Sequence, residues 1–168
     1  VENSTGATVN SIMNITEVLS VKQGTLTTGD NITMKCTFED EPTTGDPKTT
    51  AQVDKVTGSI SGNVTVERCV PASNRAFRYI SSPVNTTGTI NANLQEGFNN
   101  TDPNNNPNDI SGFGTHITGS TDGSNGFDAT STGNPSMFEW DEANQEWSPI
   151  PNTDTKQMNI GDAYALMI

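Results

Sequence analysis

At 168 residues the chain can form one domain of ordinary size or two small packed units. Only 30% of its residues are hydrophobic, and 20 acidic against 8 basic residues leave a net charge of −12. That charge, with no basic cluster to offset it, argues against nucleic acid as a partner, since such a surface repels phosphate backbones. Insertion as a spanning helix is not expected either, because no apolar run approaches the ~20 residues such a helix needs. Thr and Asn together exceed a quarter of the chain. Thr favours strands and Asn favours turns, so the composition reads as folded and all-β despite its polarity. Cys36 and Cys69 come with no CxxC and no Cys/His grouping, which leaves zinc without a basis. No signal-peptide pattern opens the chain, and Val1 reads as a mature or internal start.

Residues 1–73 contain a repeat. Gly24-Thr25-Leu26-Thr27-Thr28-Gly29-Asp30-Asn31-Ile32-Thr33-Met34-Lys35 is echoed, about 30 residues on, by Gly58-Ser59-Ile60-Ser61-Gly62-Asn63-Val64-Thr65-Val66-Glu67. Each copy is a short strand, a Gly/Asn turn and a second strand with alternate apolar residues, the signature of stacked β-coils. With Asn31 over Asn63, Ile32 and Met34 fall over Val64 and Val66 on the inner face. Thr33 then falls over Thr65 outside, and Lys35 over Glu67 forms an opposite-charge pair between coils. The spacing predicts parallel strands near 12–36 and 56–70, with Ile32 and Val64 buried and Thr33 and Thr65 exposed. Asn14-Ile15-Thr16 marks the start of a third coil, although its alternation fails at Glu17. Between the copies, residues 39–48 are acidic and hold Pro42 and Pro47, so they read as a solvated loop rather than a cation site. A Cys36–Cys69 disulfide is considered and not favoured, because the two positions have opposite parity on their strands.

Residues 74–168 read as a β-sandwich or jelly-roll-like unit. Residues 76–84 form a strand of aromatic and branched residues closed by proline, and residues 90–94 a further short strand. Residues 99–109 hold Asn, Pro and Asp with almost nothing to bury, and residues 110–136 carry repeated Gly turns. Residues 137–148 predict a hairpin with Phe138 and Trp140 on one face. The last strand, residues 163–168, carries no charge and makes a poor free edge. It must pair inside the unit, with a continuation of the polypeptide, or with a neighbouring copy.

The run Ile60-Ser61-Gly62-Asn63-Val64-Thr65-Val66-Glu67-Arg68, then Arg75-Ala76-Phe77-Arg78-Tyr79-Ile80-Ser81-Ser82-Pro83-Val84, resembles a repeated β-rich module of secreted and cell-surface Bacteroidetes (Flavobacteriia) proteins. Gly112-Phe113-Gly114-Thr115-His116-Ile117-Thr118-Gly119-Ser120, Asn125-Gly126-Phe127-Asp128-Ala129-Thr130, Asn134-Pro135-Ser136 and Gly161-Asp162-Ala163-Tyr164-Ala165-Leu166-Met167 continue the likeness in order. Such modules sit in large proteins exported by the type IX secretion system. The resemblance implies an extracellular or cell-surface location and brings no catalytic residues. It departs at Cys69, where an aromatic residue is expected. Ile168 ends the chain where the family continues, which implies that the second unit is truncated.

Three groups could carry chemistry. His116, the only histidine, sits in a Gly-Thr-His-Ile-Thr-Gly context that reads as an anchor rather than a general base. Asp122, Asn125 and Asp128 surround two glycines and have ligand types suited to calcium, the one cofactor considered. Their spacing departs from the EF-hand loop, and a turn held by Asp and Asn side chains is the preferred reading. Trp140 and Trp147 could form a platform for sugar rings, although so few aromatics argue that they fill the core. Six Asn-x-Ser/Thr sequons arise by chance in such a composition. The sequence thus reads as a non-enzymatic extracellular structural or adhesive module. The alternative is a carbohydrate-binding accessory module of a secreted adhesin or polysaccharide-processing protein. Expected partners are cell-surface components, glycans or copies of itself, the last as a filament or other assembly.

Overall fold

The computed structural model describes residues 1–38, 47–70, 75–82, 85–105 and 114–168. Of residues 39–48, read above as a solvated loop, 39–46 lie outside them, whereas Pro47 and Lys48 belong to a strand, Pro47–Thr50, rather than to a loop. The protein is all-β, with strands β1–β16 and one five-residue α-helix among the described residues. It divides into two compact units, Val1–Ser73 and Asn74–Ile168.

The first unit holds β1 (Ala7–Thr8), β2 (Met13–Ile15), β3 (Val18–Leu19), β4 (Thr25–Thr27), β5 (Ile32–Met34), β6 (Cys36–Phe38), β7 (Pro47–Thr50), β8 (Gln52–Val53), β9 (Ser59–Ser61) and β10 (Val64–Val66). Its pairing is parallel and recurrent. β4 lies between β1 and β9, β5 lies between β2 and β10, and β3 pairs with β8. Ile32 stands beside Val64, Thr33 beside Thr65 and Met34 beside Val66, the register read from the repeat. Ile32 and Met34 are buried and Thr65 is exposed, whereas Val64 and Thr33 are both half-buried rather than buried and exposed; Val64 and Val66 pack against the same core. Lys35 and Glu67 form the ion pair expected between neighbouring strands.

The repeat has a shorter period than the sequence suggests. Met13 stands beside Ile32, nineteen positions on, whereas Leu26 stands beside Ile60, thirty-four on. The fifteen extra residues match the span of the antiparallel hairpin β6–β7, inserted between β5 and β8. Backbone geometry fixes the turns. Gly62 has φ +100°, and a Cβ there would lie 2.3 Å from Thr28 Oγ1. Only glycine fits.

The cysteines are joined, contrary to the parity argument. Cys36 and Cys69 form a disulfide with Cα atoms 5.7 Å apart. Parity holds only along a continuous strand, and neither side is one. Lys35 interrupts the chain between β5 and β6, and β10 ends at Val66, three residues before Cys69.

The second unit holds β11 (Phe77–Ser81), α1 (Ile90–Leu94), β12 (Thr118–Ser120), β13 (Asp128–Ala129), β14 (Met137–Asp141), β15 (Glu146–Pro149) and β16 (Ala163–Met167). β11, β16, β14 and β15 form an antiparallel sheet in that order, and β12 pairs with β13. The final strand is therefore internal, flanked on both sides, and is not the association edge considered above. Residues 90–94 are helical rather than extended. Thr89 caps the helix by accepting a hydrogen bond from Ala92 N at 3.2 Å, and five residues are too few to show a helical period. One face of the sheet supplies Ile80, Tyr164, Leu166 and Met137 to a core completed by Ile90, Ile117, Phe127, Ile150 and Met158. The layer opposite is made of α1, the β12–β13 ladder and loops. The Asn-rich stretch is ordered where it is described. Asn99 Nδ2 donates to the carbonyls of Gly123 and Phe127, and the buried Asn100 donates its backbone N–H to Asp128 Oδ1 at 2.8 Å. Polar side chains bonded to backbone hold this loop where apolar burial would not.

Candidate functional site: an aromatic sheet face

Strand alternation places Phe77 and Tyr79 of β11, Ala165 and Met167 of β16, and Phe138 and Trp140 of β14 on the face away from the core. Register confirms the rows: Tyr79 lies opposite Ala165, Ala165 opposite Phe138, and Trp140 opposite Trp147. Phe77, Tyr79, Phe138, Trp140 and Trp147 are half of the ten aromatic residues of the chain, and they face solvent. Tyr79 is 75% exposed, Phe77 42% and Trp147 37%.

The rings are organised among themselves. Tyr79 and Trp147 belong to the two outer strands, about 14 Å apart at three strand spacings, yet their rings stack with centroids 5.5 Å apart at 23°. They reach each other by leaning inward over Ala165, which is buried beneath them. Phe77 meets Phe138 edge-on at 5.7 Å, and Trp140 meets Trp147 edge-on at 5.4 Å. Trp140 Nε1 donates to Glu142 Oε2 at 2.9 Å, which fixes that ring. A shallow cleft of about 250 Å³ lies among Phe77, Tyr79, Phe138, Trp147 and Ala165. Such an apolar, pre-ordered surface suits a flat apolar face of a ligand.

The other sequence-derived residues fall elsewhere. Asp122, Asn125 and Asp128 each bond to groups of the chain itself. Asp122 is exposed and accepts from Ser124 N at 3.0 Å, closing a turn. Asn125, at φ +59°, accepts on Oδ1 from Asn152 Nδ2. Asp128 is fully buried, with Oδ1 bonded to Asn100 N and Oδ2 to Ile117 N at 2.9 Å. Among the described residues no group of three or more His, Cys, Asp and Glu side chains could hold a metal ion. The loop instead organises the unit, since Gln95 Nε2 donates to Gly126 O at 2.9 Å and to Asp128 Oδ2 at 3.4 Å.

His116 is half-buried, and burial pushes its imidazole below the ordinary value, against the opposing attraction of Asp128. Burial, the larger effect, holds the Asp128 carboxyl above its ordinary value against its two backbone hydrogen bonds. The two tryptophans belong to the sheet surface and not to the core. Sequence reasoning missed that Phe77 and Tyr79 join them. The signal was alternation in residues 77–81, which sets Phe77 and Tyr79 opposite to Arg78 and Ile80. No helix of the described residues is long and apolar enough to cross a membrane. Comparison with known protein families, curated proteins and solved structures finds no match.

Proposed function

We propose that this chain is a non-enzymatic adhesive module of an extracellular protein, binding glycans through the aromatic sheet face of its second unit. The first unit is a short three-sided β-solenoid acting as a stiff scaffold. The second is a sandwich-like unit whose inner layer is α1, β12–β13 and loops. One observation carries the reading. Five aromatic side chains sit ordered against one another on a solvent-facing sheet, while among the described residues the core is filled by aliphatic side chains, Phe127 and Tyr164. Aromatic side chains are the largest apolar groups available, and leaving five outside costs burial that a purely structural module would use. Stacking against the apolar faces of pyranose rings gives them a use.

Location rests on two supports. The Cys36–Cys69 disulfide suits an oxidising compartment, and residues 58–168 resemble modules exported by the type IX system. Parallel strands stacked in register over β1, β4 and β9, and over β2, β5 and β10, support the solenoid. Affinity electrophoresis through gels holding a panel of soluble polysaccharides tests the binding reading. At least one polysaccharide should retard the wild-type chain, and Tyr79→Ala and Trp147→Ala should each restore free mobility. Free mobility of the wild type in every gel, with sedimentation as a dimer that Trp147→Ala disrupts, would replace the glycan by a second copy.

A further inference from the structure

A second cleft opens at one end of the same sheet. It encloses about 480 Å³, within the ~300–1,000 Å³ of small-ligand sites. Arg75, Asn134, Pro135, Met167 and four hydroxyl residues, Thr118, Thr130, Thr132 and Ser136, line it, and no acidic residue does, in a chain with 20 acids. Arg75 is exposed and makes no ion pair among the described residues.

Three of the four hydroxyls share a polarity; the fourth, Thr118, gives its O–H to Asn134 O at 2.7 Å. Thr130 Oγ1 accepts from Gly133 N at 3.1 Å, Thr132 Oγ1 from Asn134 N at 3.4 Å, and Ser136 Oγ from Thr118 N at 2.9 Å. A hydroxyl whose oxygen is engaged by a backbone amide still has its O–H to give. With the Arg75 guanidinium and the Asn134 carboxamide, the lining is rich in donors. Such a cleft suits a negatively charged acceptor, and the planar guanidinium fork matches a carboxylate.

The cleft also continues the aromatic face. Met167 stands opposite Phe77 in the β11–β16 register, and Arg75 lies two residues before Phe77. Met167 lines the polar cleft and Phe77 the aromatic one. We infer that the occupant is an anionic glycan, with sugar rings stacked on the aromatic face and a carboxylate or sulfate substituent held at Arg75. The inference rests on the glycan reading of that face.

Titration calorimetry at physiological salt separates the two. The probes are oligogalacturonate with its carboxyl-reduced counterpart, and dextran sulfate with dextran. The charged member of at least one pair should bind about ten-fold tighter or more than its neutral partner, as a charge-assisted hydrogen bond gives. The pair showing the preference names the anion as carboxylate or sulfate. Arg75→Gln should lower the charged probe to the affinity of its neutral partner. Equal affinity within both pairs, or an unchanged preference in Arg75→Gln, overturns the inference. If binding of the neutral probes is then still lost in Trp147→Ala, the glycan reading stands without it. No binding of any probe by the wild-type chain overturns both.

Discussion

Asp128 and Gln95 are fully buried in a polar chain, and each is spent on backbone groups of loops with little apolar surface of their own. His116 lies beside this network. Burial holds its folded value below 6.5, so between that value and 6.5 the unfolded chain binds the extra proton. Its contribution to stability is therefore full above 6.5 and lost as pH falls through the folded value. Because it is the only histidine, one imidazole resonance in the proton spectrum reports it, with a midpoint expected below 6.5. His116→Gln should flatten the dependence of the denaturation midpoint on pH in that window. The aromatic residues make a second contrast at this scale. Trp147 lies on the surface but packs against the rings of Tyr79 and Trp140, so Trp147→Ala should cost about 1–2 kcal/mol. Ile117 is fully buried in the second core, and Ile117→Ala should cost about 2–5 kcal/mol. Denaturant titrations with unchanged slope would give both values.

Individual strands were the most legible elements. Alternation set Ile32 over Val64 and Lys35 over Glu67, and the same pairs stand side by side in the structure. The hairpin of β14 and β15 and the shared face of Phe138 and Trp140 were equally readable, because adjacent strands need only local pattern. What failed depended on interruptions. The β6–β7 insertion disguised a nineteen-residue repeat, and the breaks at Lys35 and after Val66 undid the parity that argued against a disulfide. Helix α1 was invisible because its cap, not its periodicity, defines it. The disulfide joins residues 33 apart, so chain entropy assigns it roughly 3–4 kcal/mol. Calorimetry with a reductant should lower the transition of the first unit by that amount and leave the second unchanged. Unreduced, unfolded protein should show no free thiol on labelling.

Taken whole, the chain joins parallel, repetitive pairing in Val1–Ser73 to an antiparallel sheet with a solvent-facing aromatic layer in Asn74–Ile168. The sequence named two members of that layer, Trp140 and Trp147, and assigned them to the core, because composition counts aromatics without saying on which side of a sheet they fall. Only the β11–β16–β14–β15 order brings Phe77 and Tyr79 to them, a non-local pairing with no local signature. Both tryptophans of the chain lie on this face, so native tryptophan fluorescence reports it and nothing else. Titrating the intact chain with the polysaccharide that retards it, while following that emission, tests glycan binding at the face most directly. The account predicts a saturable change in intensity or wavelength, with a midpoint equal to the calorimetric affinity and absent from Tyr79→Ala. Calorimetric binding with the emission unmoved would place the ligand elsewhere and contradict it.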